Sequence, residues 1–194
     1  MLFKLLKHFK TITYHKILVA NGCFKVGLYK QGILHDLSKY SPSEFFVGVK
    51  YFQGDRSPNC AERDEKGYSA AWLHHMGRNK HHYEYWIDYT RSIPGGMAPV
   101  RMPDRYIAEM IMDRIAASKV YKGKDYTDDA ALNYYYKGTD KAPMHPTTRR
   151  ILLYYLEMLA SKGEEYTFKC IKNELVRHTK TPGYAKKKKR QANL

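Results

Sequence analysis

Apolar residues recur along this chain at spacings of three and four, not two. Leu5, Phe9, Ile12 and Val19 form such a stripe over the first twenty residues, the mark of a helix packed on one face. A shorter helix is expected over 32–37. Ser41-Pro42-Ser43-Glu44 carries a full start signal for the next: serine at the N-cap, proline in the first turn and glutamate placed to close a capping box. That helix should end near Gly54. The polar segment 54–67 reads as a loop, helical character resumes over 68–77, and 81–87 continues it or restarts after a bend. A second loop covers 88–102. Pro103 opens a long helix stopped by Gly123, and Thr127-Asp128-Asp129 caps another running to Gly138. His145-Pro146 starts "PTTRRILLYYLEMLASKG", and "EEYTFKCIKNELVRH" supplies a last helix. No strand-like alternation of useful length appears. The pattern predicts an all-α fold of seven to nine helices in one domain over 1–180, followed by a disordered basic tail over 181–194.

Composition changes this picture in one respect. Thirty-four basic residues against 19 acidic ones give a net charge of +15. Six of the basic residues fall in the last fifteen positions; without them 28 still face 19, leaving +9. A body that is basic without its tail favours an anionic ligand such as a nucleotide, a nucleic acid or a phosphorylated metabolite. Cys23, Cys60 and Cys170 are isolated and lack metal-like spacing, so reduced thiols are expected. No run approaches the roughly 20 apolar residues that span a bilayer. Lys4, Lys7 and Lys10 interrupt the opening segment, and no small-residue cleavage site follows it. The expectation is a cytoplasmic protein with no membrane partner; its oligomeric state is open.

The candidate chemistry sits in histidines and carboxylates on apolar faces. "ILHDLSKY" places His35 beside Asp36 after two apolar residues, with Lys39 one turn on. His15 falls on the buried stripe of the first helix, between Ile12 and Val19. Asp113 shares a helical face with Tyr106, Met110 and Ala117, an expensive place for a carboxylate without a cation or several donors. Its neighbour Arg114 points elsewhere, because adjacent helical residues do not share a face. Between them lies "AWLHHMGRNKHHYEYW", with His74, His75, His81 and His82 inside nine positions. His75 and His82 are two turns apart on one face if the helix is unbroken, and Arg78, Asn79 and Lys80 add donors beside them. His8, His74, His145 and His178 are assigned to the surface or to helix caps. Six candidates, His15, His35, Asp36, His75, His82 and Asp113, are too many for one open metal. They suit two divalent ions (iron, manganese, nickel, cobalt or zinc) bridged by a carboxylate and a water.

The order His…His-Asp…His…His…Asp on an all-α scaffold resembles the HD-domain superfamily of metal-dependent phosphohydrolases. "HDLSK" is similar to the His-Asp-x-x-Lys form of its cyclic-dinucleotide-degrading branch. "HHYE" is similar to that branch's paired-histidine motif, without the Gly-Tyr-Pro that should follow. "GILHDLSKYSPSEF", "AWLHHMGRNKHHYEYW" and "MPDRYIAEMIMDRIAAS" resemble, over roughly 10–150, a small uncharacterised bacterial and phage family of HD-like proteins. The resemblance implies that His35 and Asp36 are ligands, with Asp36 bridging both metals. It implies further that His15 and Asp113 complete one metal and that His75 with His82, or His81, completes the other. Lys39 would meet the substrate phosphate, with Arg78, Asn79, His81 and Arg114 around it. The implied activity is hydrolysis of a nucleotide or related phosphate ester, Asp36 and Lys39 being catalytic. Two alternatives stand beside it. The same ligand pattern resembles the HD-fold mixed-valent diiron oxygenases. A non-enzymatic reading has the basic surface and the C-terminal tail hold nucleic acid by counterion release.

Overall fold

The computed structural model describes residues 2–92 and 95–178. Eight α-helices account for most of them, with one two-stranded hairpin, and the fold is all-α as the periodicity predicts. Helix α1 spans Leu2–Val26, α2 Tyr29–Leu34, α3 Pro42–Lys50, α4 Pro58–Lys66 and α5 Ala70–Met76. Strands β1 (Ile87–Thr90) and β2 (Gly96–Pro99) pair antiparallel, Ile87 opposite Pro99 and Thr90 opposite Gly96. Helix α6 covers Asp104–Lys122, α7 Ala130–Tyr136 and α8 Pro146–Ile171.

The core forms where α1, α6 and α8 meet. Val19, Cys23 and Val26 from α1 pack with Ile107, Ile111 and Ile115 from α6 and with Leu152, Leu156 and Leu159 from α8. Helix α6 is buried on most of its circumference, from Ile107 through Met112, as expected of a helix that is apolar nearly all round. The two carboxylates set into it, Glu109 and Asp113, are spaced i, i+4 and so share one stripe. Gly123 closes α6 with φ +55. Gly163, at φ 75 and ψ 174, breaks α8 at the junction between the two helices expected from the sequence. Cys23, Cys60 and Cys170 are all free.

Several expectations are corrected. The segment 54–67 is not a loop throughout: Pro58 in the first turn and Gly67 beyond the last frame helix α4. The second loop holds the β-hairpin. The helix expected over 32–37 begins earlier, at Tyr29, and stops at Leu34, where a 3-10 turn over Leu37–Tyr40 replaces it. Ser41 does start α3, but its side chain makes no cap and the glutamate of the supposed capping box turns away to other partners. In α1 the buried stripe runs through His8, Ile12, His15 and Val19, so Phe9 faces outward. His8 is therefore not a surface residue; it sits between the rings of Phe45 and Phe52. The tail over 181–194 lies outside the described residues. Among the described residues no helix is long and apolar enough to cross a membrane.

Candidate metal centre

The centre is built on a backbone turn. Asp36 occupies the left-handed region at φ 53 and ψ 27, a conformation that costs a residue with a Cβ about 1 kcal/mol or more. The Lys16 ammonium on α1 holds the turn by donating to the carbonyls of Ile33 (2.6 Å) and His35 (2.7 Å). The turn brings two adjacent side chains, His35 and Asp36, into the same interior space, both fully enclosed. Helix α1 contributes His15 from one side, and α6 contributes Glu109 and Asp113 from another.

The Asp36 carboxylate divides the cluster. Its Oδ2 lies 3.3 Å from His35 Nε2 and 3.7 Å from His15 Nε2, and Asp113 Oδ1 completes this side at 3.0 Å from His15 Nε2 and 3.5 Å from His35 Nε2. Its Oδ1 lies 3.3 Å from His75 Nε2 and 3.4 Å from His81 Nε2, with His82 Nε2 at 2.9 Å from His75 Nε2. Ligand-type atoms of His15, His35, Asp36 and Asp113 all fall within 4.8 Å of one another, as do those of Asp36, His75, His81 and His82.

Outer carboxylates aim the rings. Glu109 Oε1 accepts from His35 Nδ1 at 3.0 Å and stands 3.3 Å from His81 Nδ1. Glu44 Oε2 accepts from His75 Nδ1 at 2.8 Å, and its Oε1 from His74 Nδ1 at 2.6 Å. A proton held on Nδ1 by a carboxylate leaves Nε2 as a bare lone pair turned inward. The Nε2 atoms of His15, His35 and His81 and both oxygens of Asp36 are buried and make no aligned hydrogen bond. Imidazole nitrogens and carboxylate oxygens gathered this closely need protons, the Lys39 ammonium or a metal ion between them. The residues therefore fit a metal.

Charge inside the cluster is strongly coupled. Burial disfavours ionised Asp36, yet His35, Lys39 and His75 hold its carboxyl well below the usual range. Asp113 is likewise held low against burial by His15 and His35. Burial opposes the His35 imidazolium, but Asp36, Asp113 and Glu109 push its pKa well above the ordinary histidine value. His82 goes the other way, depressed by burial and by the charge of His81 and His75. Lys39 sits at the rim, 28% exposed, with Nζ 2.6 Å from Asp36 Oδ2, and that carboxylate raises its pKa against the effect of burial.

The structure brings together all six sequence candidates, and Lys39 with them. It revises four details. His75 and His82 do not share a helix face, because α5 ends at Met76; the chain folds back through 77–82 to return His81 and His82 to the cluster. His81 stands among the ligand-type atoms rather than on the substrate side, and it has a carboxylate behind Nδ1, as His35 and His75 do. Asn79 is buried and donates to Ser38 Oγ and the His75 carbonyl, both at 2.8 Å, so it braces His75 instead of facing a substrate. Arg114 reaches Thr139, beyond α7, and Arg78 is exposed with one bond to the His74 carbonyl. Among the default assignments, His145 is an N-cap accepting from Thr147 N, whereas His74 is drawn into the Glu44 pair. Glu44 and Glu109 were missed. Glu109, four residues before Asp113 on a buried face, carried a signal; Glu44 was hidden by its resemblance to a capping residue.

Two clefts lie elsewhere and include no cluster residue. One of about 130 Å³ opens between α1, α6 and α8 at Leu18, Met112 and Phe168; the other, about 430 Å³, opens at Gln31, Arg101, Arg105 and His178. Access to the cluster runs past its partly exposed members, Lys39, His82 and Asp113.

Fold and site together define an all-α protein with a buried, carboxylate-bridged histidine cluster able to hold metal. The chain belongs to a family of unknown function (DUF5662), whose model matches residues 4–158. That span contains every residue of the cluster. No curated protein and no solved structure matches the chain.

Proposed function

We propose that this protein is a metal-dependent phosphohydrolase acting on a nucleotide or a related phosphate ester, with one divalent cation on each side of Asp36. The observation that carries the proposal is the split carboxylate: Oδ1 faces His75 and His81, Oδ2 faces His15 and His35, and the atoms between have no aligned hydrogen bonds. Two divalent cations held by these residues would supply a hydroxide nucleophile near neutral pH and would offset charge on a phosphoryl oxygen.

The chain's own residues do the positioning. Glu109 and Glu44 lock the rings of His35, His81 and His75, which fixes where their lone pairs point. Lys39 presents a compact ammonium beside the bridging carboxylate at the exposed edge, where a phosphate oxygen can meet it. The basic body of the protein favours an anionic substrate. The resemblance of "HDLSK" and the histidine order to HD-domain phosphohydrolases supports the same chemistry.

The test is a phosphatase assay with added manganese, cobalt or nickel against mononucleotides and cyclic dinucleotides. Turnover in the wild type and a fall of at least about a hundredfold in His35→Ala/Asp36→Ala is expected. Full turnover in that double variant refutes the proposal. Bound iron with a mixed-valence EPR signal, and no phosphatase activity with any metal, replaces it by oxygenase chemistry on the same ligands.

A further inference from the structure

Helix α1 carries two apolar faces, and only one is used by the fold. His8, Ile12, His15 and Val19 point inward. Leu2, Phe3, Leu6 and Phe9 point outward and are 71%, 68%, 57% and 47% exposed. Phe9 touches the ring of Phe45, which touches Phe46, itself 62% exposed on α3, so the outward strip extends across two helices. Large apolar side chains grouped in this way on a surface mark a contact site.

The charge around the strip says what it fits. Lys4, Lys7 and Lys10 alternate with these apolar residues, and the Lys7 ammonium rests 4.1 Å above the Phe3 ring. No acidic residue occurs before Asp36. Two copies of the chain meeting through this face would bring like charges together in a protein already at +15. An anionic bilayer satisfies both features at once. Leucine and phenylalanine enter the boundary between headgroups and acyl chains, and the lysines lie among lipid phosphates. We infer that the outward face of α1, around Phe3 and Leu6, docks the protein on the surface of an anionic lipid bilayer. The inference does not depend on the proposed catalytic activity. It revises the expectation of no membrane partner, and it concerns a helix lying on the surface, since α1 is neither apolar enough nor free to span.

The test uses the full-length protein with vesicles of phosphatidylcholine alone and of phosphatidylcholine mixed with phosphatidylglycerol. Binding to the anionic vesicles should be at least about tenfold tighter than to the neutral ones. The lysine-rich tail can bind anionic lipid by charge alone, so insertion is read separately. Leu6→Trp should gain blue-shifted fluorescence that brominated acyl chains quench, and Phe3→Ser/Leu6→Ser should lose at least about tenfold in affinity with unchanged circular dichroism. An unquenched indole at position 6, undiminished vesicle binding by the double variant, or equal binding to both kinds of vesicle overturns the inference. A wild-type dimer in sedimentation velocity that the double variant abolishes overturns it in favour of a second copy of the chain.

Discussion

Glu109 positions two rings of the cluster at once. One carboxylate oxygen serves two rings, His35 and His81, on opposite sides of Asp36. Replacing it by glutamine keeps the size and removes the charge that fixes both Nδ1 protons. Glu109→Gln should weaken metal binding by about 10–100-fold, measured by competition with a chelator, while the far-ultraviolet circular dichroism stays the same. His8, which is not one of the ligand-type residues, makes a separate prediction. Burial, with a smaller effect from Lys39, lowers its pKa from 6.5 to about 4. Between those values the unfolded chain binds a proton that the folded chain refuses. The contribution of a neutral His8 to stability is therefore complete above pH 6.5 and is lost as pH falls to 4. Urea unfolding across that window should show a shallower loss in His8→Phe than in the wild type. The cluster residues were legible in the sequence for different reasons: His15 and Asp113 stand on apolar helical faces, whereas His35-Asp36 and the paired histidines over 74–82 were conspicuous by adjacency and density. Glu44 was not legible. A glutamate three residues after a serine has a sufficient local explanation, and only the tertiary structure shows it bonded to two histidines from α5.

At the scale of elements, the long helices were legible in different ways: α1 buries a stripe with spacing near 3.6, α6 is apolar nearly all round between Pro103 and Gly123, and α8 was expected as two helices that meet at Gly163. Periodicity failed where elements are short. Helix α4 is mostly charged, with only Ala61 and Glu62 buried, and so offers no apolar stripe to read. The return of His81 and His82 depends on a turn after Met76 that no hydrophobic pattern encodes. Gly163 is the clearest element-scale test. Its φ of 75 and ψ of 174 belong to a region nearly closed to residues with a Cβ, and an added Cβ would stand 3.2 Å from Asp128 Oδ2. Gly163→Ala should cost about 1–3 kcal/mol in chemical denaturation. If α8 straightened through the site without strain, the variant would instead match the wild type or exceed it.

For the molecule as a whole, the cluster gathers ligand-type atoms that only the folded chain brings together. Asp36, Asp113, Glu109 and Glu44 meet within one interior with five histidines, and several of their polar atoms lack aligned partners. Metal that binds only the folded chain should therefore raise the melting temperature. At a free concentration a hundred times its dissociation constant, it contributes about 2.7 kcal/mol. Protons compete for the same imidazoles, and His35 in particular holds its proton strongly, so the stabilisation by metal should shrink as pH is lowered. Thermal melts with manganese and with a chelator at two pH values measure both effects. The most direct test of the account is the number of metal ions bound per chain in the wild type and in Asp36→Ala. The wild type should bind two divalent ions and the variant, which loses the carboxylate shared by both sides, no more than one. A wild-type protein that takes up no divalent ion on reconstitution, or a variant that still holds two, contradicts it.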